Sequence, residues 1–181
     1  MSRKPEPLPE FSRPIARERL GGQVLVEEIS ATPQERAALA RRFGLLGFDL
    51  LAATLRIESA DGKGLLRLEG HLSAEVSQAC VVTLEPVASR LEEDFTLLYS
   101  LEPGPASDGA EKEVVVDPEA EDPPEPLGPG GLDLGEVVAQ QLAVALDPYP
   151  RAPGAAHLEV PGAEAGPRTG FGGLEALKRR E

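Results

Sequence analysis

The chain has 181 residues, of which 41% are apolar, so its length and composition allow one ordinary hydrophobic core. No apolar run approaches the roughly 20 residues that a membrane-spanning helix needs, and the N-terminus lacks the apolar stretch of a secretory signal. The single cysteine excludes an internal disulfide framework and is typical of a reducing compartment. From these features we expect a cytoplasmic protein with no membrane partner.

The net charge of −13 belongs to one part of the chain. Residues 91–136 contain 14 Asp or Glu and one Lys, whereas acids and bases cancel in the remainder. This distribution argues against a uniformly basic nucleic-acid surface, but it does not make the rest of the domain anionic. The sequence therefore indicates one local acidic segment.

The first predicted elements follow a polar, flexible N-terminal segment, residues 1–10. A strand is predicted over residues 23–29, because QVLVEEI is rich in β-branched side chains. A helix comes next: Thr32 is a suitable N-cap, Pro33 occupies the first helical position, and Glu35 completes a capping box. Gly44 then provides a typical helix end.

Three further strands form a predicted antiparallel meander. Apolar residues alternate over residues 51–57, and Gly-rich turn chemistry follows at residues 60–64. Residues 66–76 alternate apolar and polar side chains, which is typical of a strand with one face in water. After the Glu85-Pro86 turn, a third long strand carries its apolar side chains at Val87, Leu91, Phe95, Leu97 and Tyr99.

The second half of the chain begins with a predicted acidic, Pro-rich flexible loop, residues 102–131, in which residues 114–116 could add a short edge strand. Asp133 then begins a second helix that runs through Leu146 and ends at the prolines of residues 147–150. The pattern predicts an α+β fold, an antiparallel β-meander or partly open barrel-like sheet packed by two main helices. We expect one domain over residues 11–151 and a loop-rich tail, residues 152–181, that ends in a short helix.

Catalytic chemistry is tested at the single cysteine and the two histidines. Cys80 is a candidate nucleophile or metal ligand, but Thr83 occupies the position that would complete a CxxC pair. His71 and His157 lie far from Cys80 in sequence, so spacing supports neither a Cys-His pair nor a four-ligand zinc site. We interpret Cys80 as a small buried hydrophobic side chain. The prediction is a non-enzymatic protein with no metal, no cofactor and no small-molecule substrate.

Basic residues form small clusters that are candidate contacts for RNA or for a protein partner. Aromatic side chains for stacking on bases are nearly absent, so an RNA contact would use phosphates and shape. The alternative is that each cluster is ordinary solvated surface. The candidate contact residues are Arg13, Arg17 and Arg19 before the first strand, and Arg41 and Arg42 at the end of the first helix.

Several motifs follow one another in a fixed order along the chain. They are EFSRP at residues 10–14, QACVVTLEPV at 78–87, DLGE at 133–136 with LDPYPR at 146–151, and TGFGGLEALK at 169–178. Together these motifs resemble the YceD family of bacterial proteins, in its alphaproteobacterial form. The candidate family-motif residues are Cys80, Leu84, Glu85, Pro86, Asp147, Pro148, Tyr149, Pro150 and Arg151.

The resemblance implies a role in the accumulation, processing or stability of large-subunit (23S) ribosomal RNA, without known enzymatic activity. Many relatives carry a CxxC before Leu-Glu-Pro, and Thr83 at its second position puts a metal or redox role here in doubt. The implied partner is the large-subunit precursor, through 23S rRNA or through basic ribosomal proteins or assembly factors. Opposite charge favours the protein route, with residues 102–131 docking a basic partner. A generic protein-interaction module and a Cys80-dependent enzyme are the alternatives.

Overall fold

The computed structural model describes residues 9–60, 64–102 and 124–155 of the chain. In chain order, these ranges form β1 (Pro14–Ile15), a 3-10 helix (Arg17–Arg19), β2 (Leu25–Ser30), α1 (Pro33–Phe43), β3 (Gly47–Ser59), β4 (Leu65–Ala79), β5 (Pro86–Ser100), β6 (Glu125–Pro126), β7 (Leu132–Asp133) and α2 (Leu134–Ala145). None of the helices in these ranges has the length and apolar character to cross a membrane.

The main sheet has five strands in the order β2-β3-β4-β5-β6. Strands β2 to β5 are antiparallel and consecutive, whereas the short β6 pairs with the end of β5 in parallel. The predicted α+β class and antiparallel meander are confirmed, and the sheet is open rather than closed into a barrel. Both helices pack on the same side of the sheet, and no described element covers the other face, which we call the open sheet face.

The hairpin of β4 and β5 is the longest feature of the sheet. Its ladder runs without a register shift from Ala79 opposite Pro86 to Leu65 opposite Ser100. The predicted alternation of β4 is confirmed, because its even-numbered residues from Leu66 to Val76 are buried. Gly70 interrupts the apolar series to make room for a cross-strand ring: a Cβ at Gly70 would lie 2.2 Å from Cζ of Phe95.

Helix α1 begins and ends as the sequence predicts. The Thr32 hydroxyl accepts a hydrogen bond from the Glu35 N–H, and the Glu35 carboxylate accepts one from the Thr32 N–H. Gly44 ends the helix with a left-handed φ of 66°, a conformation that glycine adopts without steric cost. Helix α2 begins at Asp133, whose carboxylate caps the N–H groups of Gly135 and Glu136.

The N-terminal segment, residues 11–15, packs against the start of α2. Phe11 is 1% exposed, and the Asp133 carboxylate accepts hydrogen bonds from the Ser12 hydroxyl and the Arg13 N–H at 2.6 and 2.7 Å. Strand β1 pairs with β7 in a small second sheet. These long-range contacts were not predicted, because neither two-residue strand has a periodic pattern of its own.

The predicted acidic loop over residues 102–131 is described by the structure only in part. Its last portion contains β6 and the buried Leu127, whose N–H donates to the Ser100 carbonyl at 2.9 Å. Residues 103–123, including the apolar patch at 114–116, lie outside the described residues. The same holds for residues 1–8, for most of the turn at 60–64 and for the tail from residue 156 onward.

Candidate functional site

The two central sequence motifs lie side by side at one end of the β4–β5 hairpin. The Val81 N–H donates to the Pro150 carbonyl, and the Gln78 side-chain amide donates to the Asp147 carbonyl, both at 2.9 Å. The Ala152 N–H donates to the sulfur of Cys80 at 3.3 Å. The turn between β4 and β5 and the segment after α2 therefore form one unit, which we call the thiol turn: residues 78–86 with residues 147–152.

The backbone of the thiol turn holds one strained residue. The Cys80 N–H donates to the Glu85 carbonyl at 2.8 Å, and the Leu84 N–H donates to the Cys80 carbonyl at 2.9 Å. Closing this turn places Leu84 in the left-handed region with a φ of 63°, which is uncommon for a non-glycine residue. The Leu84 side chain is nevertheless 75% exposed, so the turn presents an apolar group to solvent.

Cys80 is fully buried, but its sulfur does not lie in an apolar environment. The N–H groups of Val82, Thr83 and Ala152 all point at Sγ, at 3.3 to 3.4 Å. Hydrogen bonding from the Thr83 side chain, and then from these N–H groups, lowers the pKa of the Cys80 thiol from 9.0 to about 6, although burial acts in the opposite direction. Cys80 is thus buried as expected, yet the hydrogen-bond donors around its sulfur favour the thiolate over the thiol.

Thr83 stands at the position of the second cysteine of a CxxC pair, and its expected role is to stabilise the thiolate. Replacing Thr83 with Val should raise the pKa of Cys80 above 6, which the ultraviolet absorbance of the thiolate measures as the pH is raised. Thr54→Val, on the open sheet face, is the control and should leave that pKa unchanged. An unaltered titration in Thr83→Val would contradict the assignment.

This thiolate also makes stability depend on pH. The folded-state pKa lies below the unfolded value of 9.0, so the contribution of Cys80 to stability is complete above pH 9 and is lost as the pH falls through about 6. Unfolding of the wild-type chain and of Cys80→Ala, followed over this pH range, should therefore diverge as the pH rises.

No partner for catalysis accompanies Cys80 in the part of the chain that the structure describes. There, no group of three or more His, Cys, Asp or Glu side chains is arranged to hold a metal ion. His71 pairs elsewhere, with Asp94 directly opposite it on β5. The contacts given for Cys80 stabilise a negative sulfur, and none of them comes from a general base.

Two of the candidate arginines form bidentate ion pairs with carboxylates of other elements. Arg13 binds both carboxylate oxygens of Glu35, at 2.7 and 3.1 Å, and this hydrogen bonding raises the pKa of Arg13 and lowers that of Glu35 to about 2. Arg42 binds both carboxylate oxygens of Glu136, at 2.9 and 2.8 Å, and also contacts Glu10 at 3.2 Å. Each pair joins elements that are distant in sequence.

The remaining candidate arginines differ in their contacts. Arg17 donates to the carbonyls of Leu101 and Leu127, and therefore links the end of β5 to the loop after β6. Arg19 lies 3.3 Å from the Glu27 carboxylate. Arg41 is exposed, and the structure gives it no ion pair among the described residues. Four of the five candidate arginines are therefore engaged within the chain.

A polar cluster on the open sheet face is centred on His71. Nδ1 of His71 lies 2.7 Å from Asp94, Nε2 lies 3.2 Å from Glu92, and the Ser73 hydroxyl donates to Glu92 at 2.6 Å. Hydrogen bonding to Asp94 raises the pKa of His71, with Glu92 adding to the effect. Period-two alternation places His71 and Asp94 each on the polar face of its own strand, but it does not by itself predict that the two residues pair. The signal was available, because residues equally far from the centre of the Cys80–Glu85 turn must face each other.

Together, the open sheet face, the thiol turn with its buried Cys80 and the cluster around His71 describe a small α+β protein whose described residues offer solvent-exposed surfaces. A family model described as "Large ribosomal RNA subunit accumulation protein YceD" matches residues 68–176, which is more than half of the chain. The chain belongs to this family. The match includes the thiol turn, β5 and α2, and the family description names rRNA accumulation rather than a reaction. Neither the curated proteins nor the solved structures provided a match.

Proposed function

We propose that this chain is a non-catalytic cytoplasmic factor that supports the accumulation of 23S rRNA by acting on the precursor of the large ribosomal subunit. The match to the YceD family carries the proposal, because the family description names accumulation of the large ribosomal RNA subunit. The alphaproteobacterial type is part of this proposal. The burial of Cys80 supports a non-catalytic role, since a sulfur with no exposed surface is closed to a substrate.

Within this function, contacts with basic proteins are favoured over contacts with RNA phosphates. A phosphate bound by Arg13 or Arg42 would have to replace a bidentate carboxylate that already satisfies the guanidinium. Acidic side chains remain exposed on the open sheet face, and the Asp94 side chain is 87% exposed. Opposite charge steers a basic protein toward such a surface. Ribosomal proteins or assembly factors of the large-subunit precursor are therefore the proposed partners.

Direct contact with 23S rRNA is the second candidate. Arg41 favours it, because this exposed arginine lies in the last turn of α1 and the structure gives it no carboxylate partner among the described residues. One phosphate contact contributes little affinity at physiological salt. Crosslinking of rRNA to Arg41 in the intact chain would establish this route.

Complementation of a depleted strain tests the function. Loss of the chain is expected to lower 23S rRNA relative to 16S rRNA, and the wild-type chain should restore the ratio. Cys80→Ser should restore it as well, because the proposed role requires no nucleophile. A folded Cys80→Ser chain that fails to restore the ratio would overturn the non-catalytic assignment, and an unchanged ratio on depletion would overturn the proposed function itself.

The acidic residues between positions 103 and 123 are tested in the same strain. A variant in which the Asp and Glu residues of 103–123 are changed to Asn and Gln keeps the length of the chain, and leaves β6 and the buried Leu127 in place. This variant should co-sediment less with large-subunit precursors at low salt, because it loses the charge that attracts a basic partner. Unchanged co-sedimentation would remove this segment from the docking surface.

A further inference from the structure

Among the residues that the structure describes, the outer edge of β5 is a long strand edge that is mostly unpaired. Strand β4 covers one side of β5 along its whole length, whereas among the described residues only β6 lies on the other side, opposite Tyr99 and Ser100. Residues 86–98 therefore have no neighbouring strand on that side in the ranges that the structure describes. An edge of this kind presents backbone N–H and C=O groups that can pair with another chain.

Hydrogen bonds at the two ends of the hairpin show which backbone groups point outward. The Cys80 N–H donates to the Glu85 carbonyl, and the Leu101 N–H donates to the Gly64 carbonyl. The register between these ends is continuous, so the odd-numbered residues of β5 pair with β4. The Ser100 carbonyl points the other way, since it accepts from Leu127. Outward-directed groups therefore belong to Ala88, Arg90, Glu92, Asp94, Thr96 and Leu98.

The side chains along this edge define the chemistry of a partner. On the open sheet face, Glu92 and Asp94 are exposed, and Arg90 is turned onto Glu92 at 2.9 Å. On the opposite face, three apolar side chains pack against the core and remain only partly buried, namely Leu91, Phe95 and Leu97. The exposed Glu93 lies between Leu91 and Phe95 on this face. A strand added at this edge would have Glu92 and Asp94 beside one of its faces, and three apolar groups with one acid beside the other.

We propose that the β5 edge binds an extended segment of a partner protein as an added β-strand, and that this segment alternates basic and apolar residues. Its basic side chains would lie beside Glu92 and Asp94, and its apolar side chains would cover Phe95 and its neighbours. The proposal rests on the proposed function, in which basic proteins of the large-subunit precursor are the partners, and it identifies the surface that receives them.

Other occupants fit this edge less well. Two copies of β5 paired antiparallel about Glu93 or Asp94 would bring like charges together, which destabilises a cross-strand pair. RNA phosphates would meet the same carboxylates. The opposite edge of the sheet is shorter, because β2 covers six residues and its Ser30 carbonyl already accepts from Arg13 at 3.0 Å. Charge and free length therefore both favour a basic strand on β5.

Binding of a synthetic peptide of alternating Lys and Val to the full-length chain tests the proposal. A peptide of the same composition, with its Lys and Val in two blocks, is the control. Residue-resolved hydrogen exchange should show that the alternating peptide protects the amides of Glu92, Asp94 and Thr96. The block peptide should bind at least about tenfold more weakly, a difference that corresponds to about 1.4 kcal/mol.

The substitution Thr96→Pro tests the outer edge of β5 without removing a hydrogen bond to β4. Proline removes an outward N–H while the ladder to β4 keeps its bonds, so binding of the alternating peptide should weaken at least about tenfold in a chain whose circular dichroism is unchanged. Thr96→Val keeps the N–H and should bind normally. Asp94→Lys should weaken binding, whereas Glu28→Lys on β2 should not. If Thr96→Pro fails to fold, Asp94→Lys and Glu28→Lys decide the result.

Several results would overturn the proposal. They are equal binding of the two peptides, undiminished binding to Asp94→Lys, and protection of the edge amides in the chain alone. If that protection rises with protein concentration together with dimer in sedimentation, the occupant is a second copy. A folded Asp94→Lys chain that no longer binds the peptide but still restores 23S rRNA would also overturn the proposal that the β5 edge binds the partner. The proposed function would stand in that case. Failure of the wild-type chain to restore 23S rRNA overturns that function, whatever the peptide does.

Discussion

Replacing Gly135 with Ala is expected to lower the free energy of unfolding by about 3 kcal/mol or more, the range of a lost buried aromatic side chain. A Cβ at Gly135 would lie 2.4 Å from the carbonyl oxygen of Phe11 and 2.7 Å from its carbonyl carbon. These are backbone atoms, so the N-terminal segment has to leave the start of α2 to make room. Phe11 then loses its buried position, and the gain of about 1 kcal/mol in helix propensity does not offset that loss.

Urea unfolding measures this effect, followed by far-ultraviolet circular dichroism because the chain has no Trp. Gly130→Ala is the matched control, since a Cβ there meets nothing within 4 Å, and it should change stability by less than about 0.5 kcal/mol. A double-mutant cycle adds a second check: Phe11→Ala should cost much less in the Gly135→Ala chain than in the wild type. If Phe11→Ala costs the same free energy of unfolding in both chains, residues 11–15 stay against α2 in Gly135→Ala and the explanation is wrong.

Replacing Leu142 with Ala should lower the free energy of unfolding by about 2 to 5 kcal/mol. Leu142 is fully buried on the face of α2 that packs against the sheet, together with Leu134 and Val138. Truncation removes buried methyl groups and leaves a cavity that this face closes only in part. Val144 lies two residues further along the same helix and is 82% exposed.

Val144→Ala is therefore the matched control for Leu142→Ala, and its effect should stay within about 0.5 kcal/mol. Both substitutions remove apolar atoms from one helix, so their difference reports burial rather than helix propensity. Similar losses for the two variants, measured by the same urea unfolding, would mean that α2 does not pack on the sheet through the Leu142 face.

Local patterns predicted the elements that local interactions determine. The capping box of Thr32 and Glu35 requires only neighbouring residues, and the structure confirms it. Period-two alternation predicted the buried face of β4 from Leu66 to Val76. In each case the residues that determine the element are close together in the sequence, within one helical turn or along one strand.

Contacts between distant segments could not be predicted in the same way. Glu35 was predicted as part of a capping box, but its pairing with Arg13 depends on where the N-terminal segment lies. The same is true of Arg42, which binds Glu136 across a separation of 94 residues. Charge alone predicts that these arginines are candidate surface contacts. Their internal partners follow from the tertiary fold, for which one sequence gives no direct signal.

The thiol turn shows a second limit of sequence reasoning. Composition gives Cys80 the character of a small hydrophobic residue, and its burial agrees with that. The three N–H groups around its sulfur come from the turn and from Ala152, 72 residues away. Backbone groups carry no residue-specific signature, so the charge state of the sulfur appears only once the two motifs are placed together.

The attachment of the N-terminal segment has a consequence for the order in which the chain folds during synthesis. Strands β2 to β5 each pair with the strand made immediately before or after them. Ser12 and Arg13, by contrast, bind Asp133, which is added 121 and 120 residues later. Residues 11–15 thus reach their native position only when α2 has left the ribosome. In a nascent chain that stops before Asp133, Phe11 is expected to stay exposed to water. The exposure of Phe11 therefore indicates whether α2 has been synthesised.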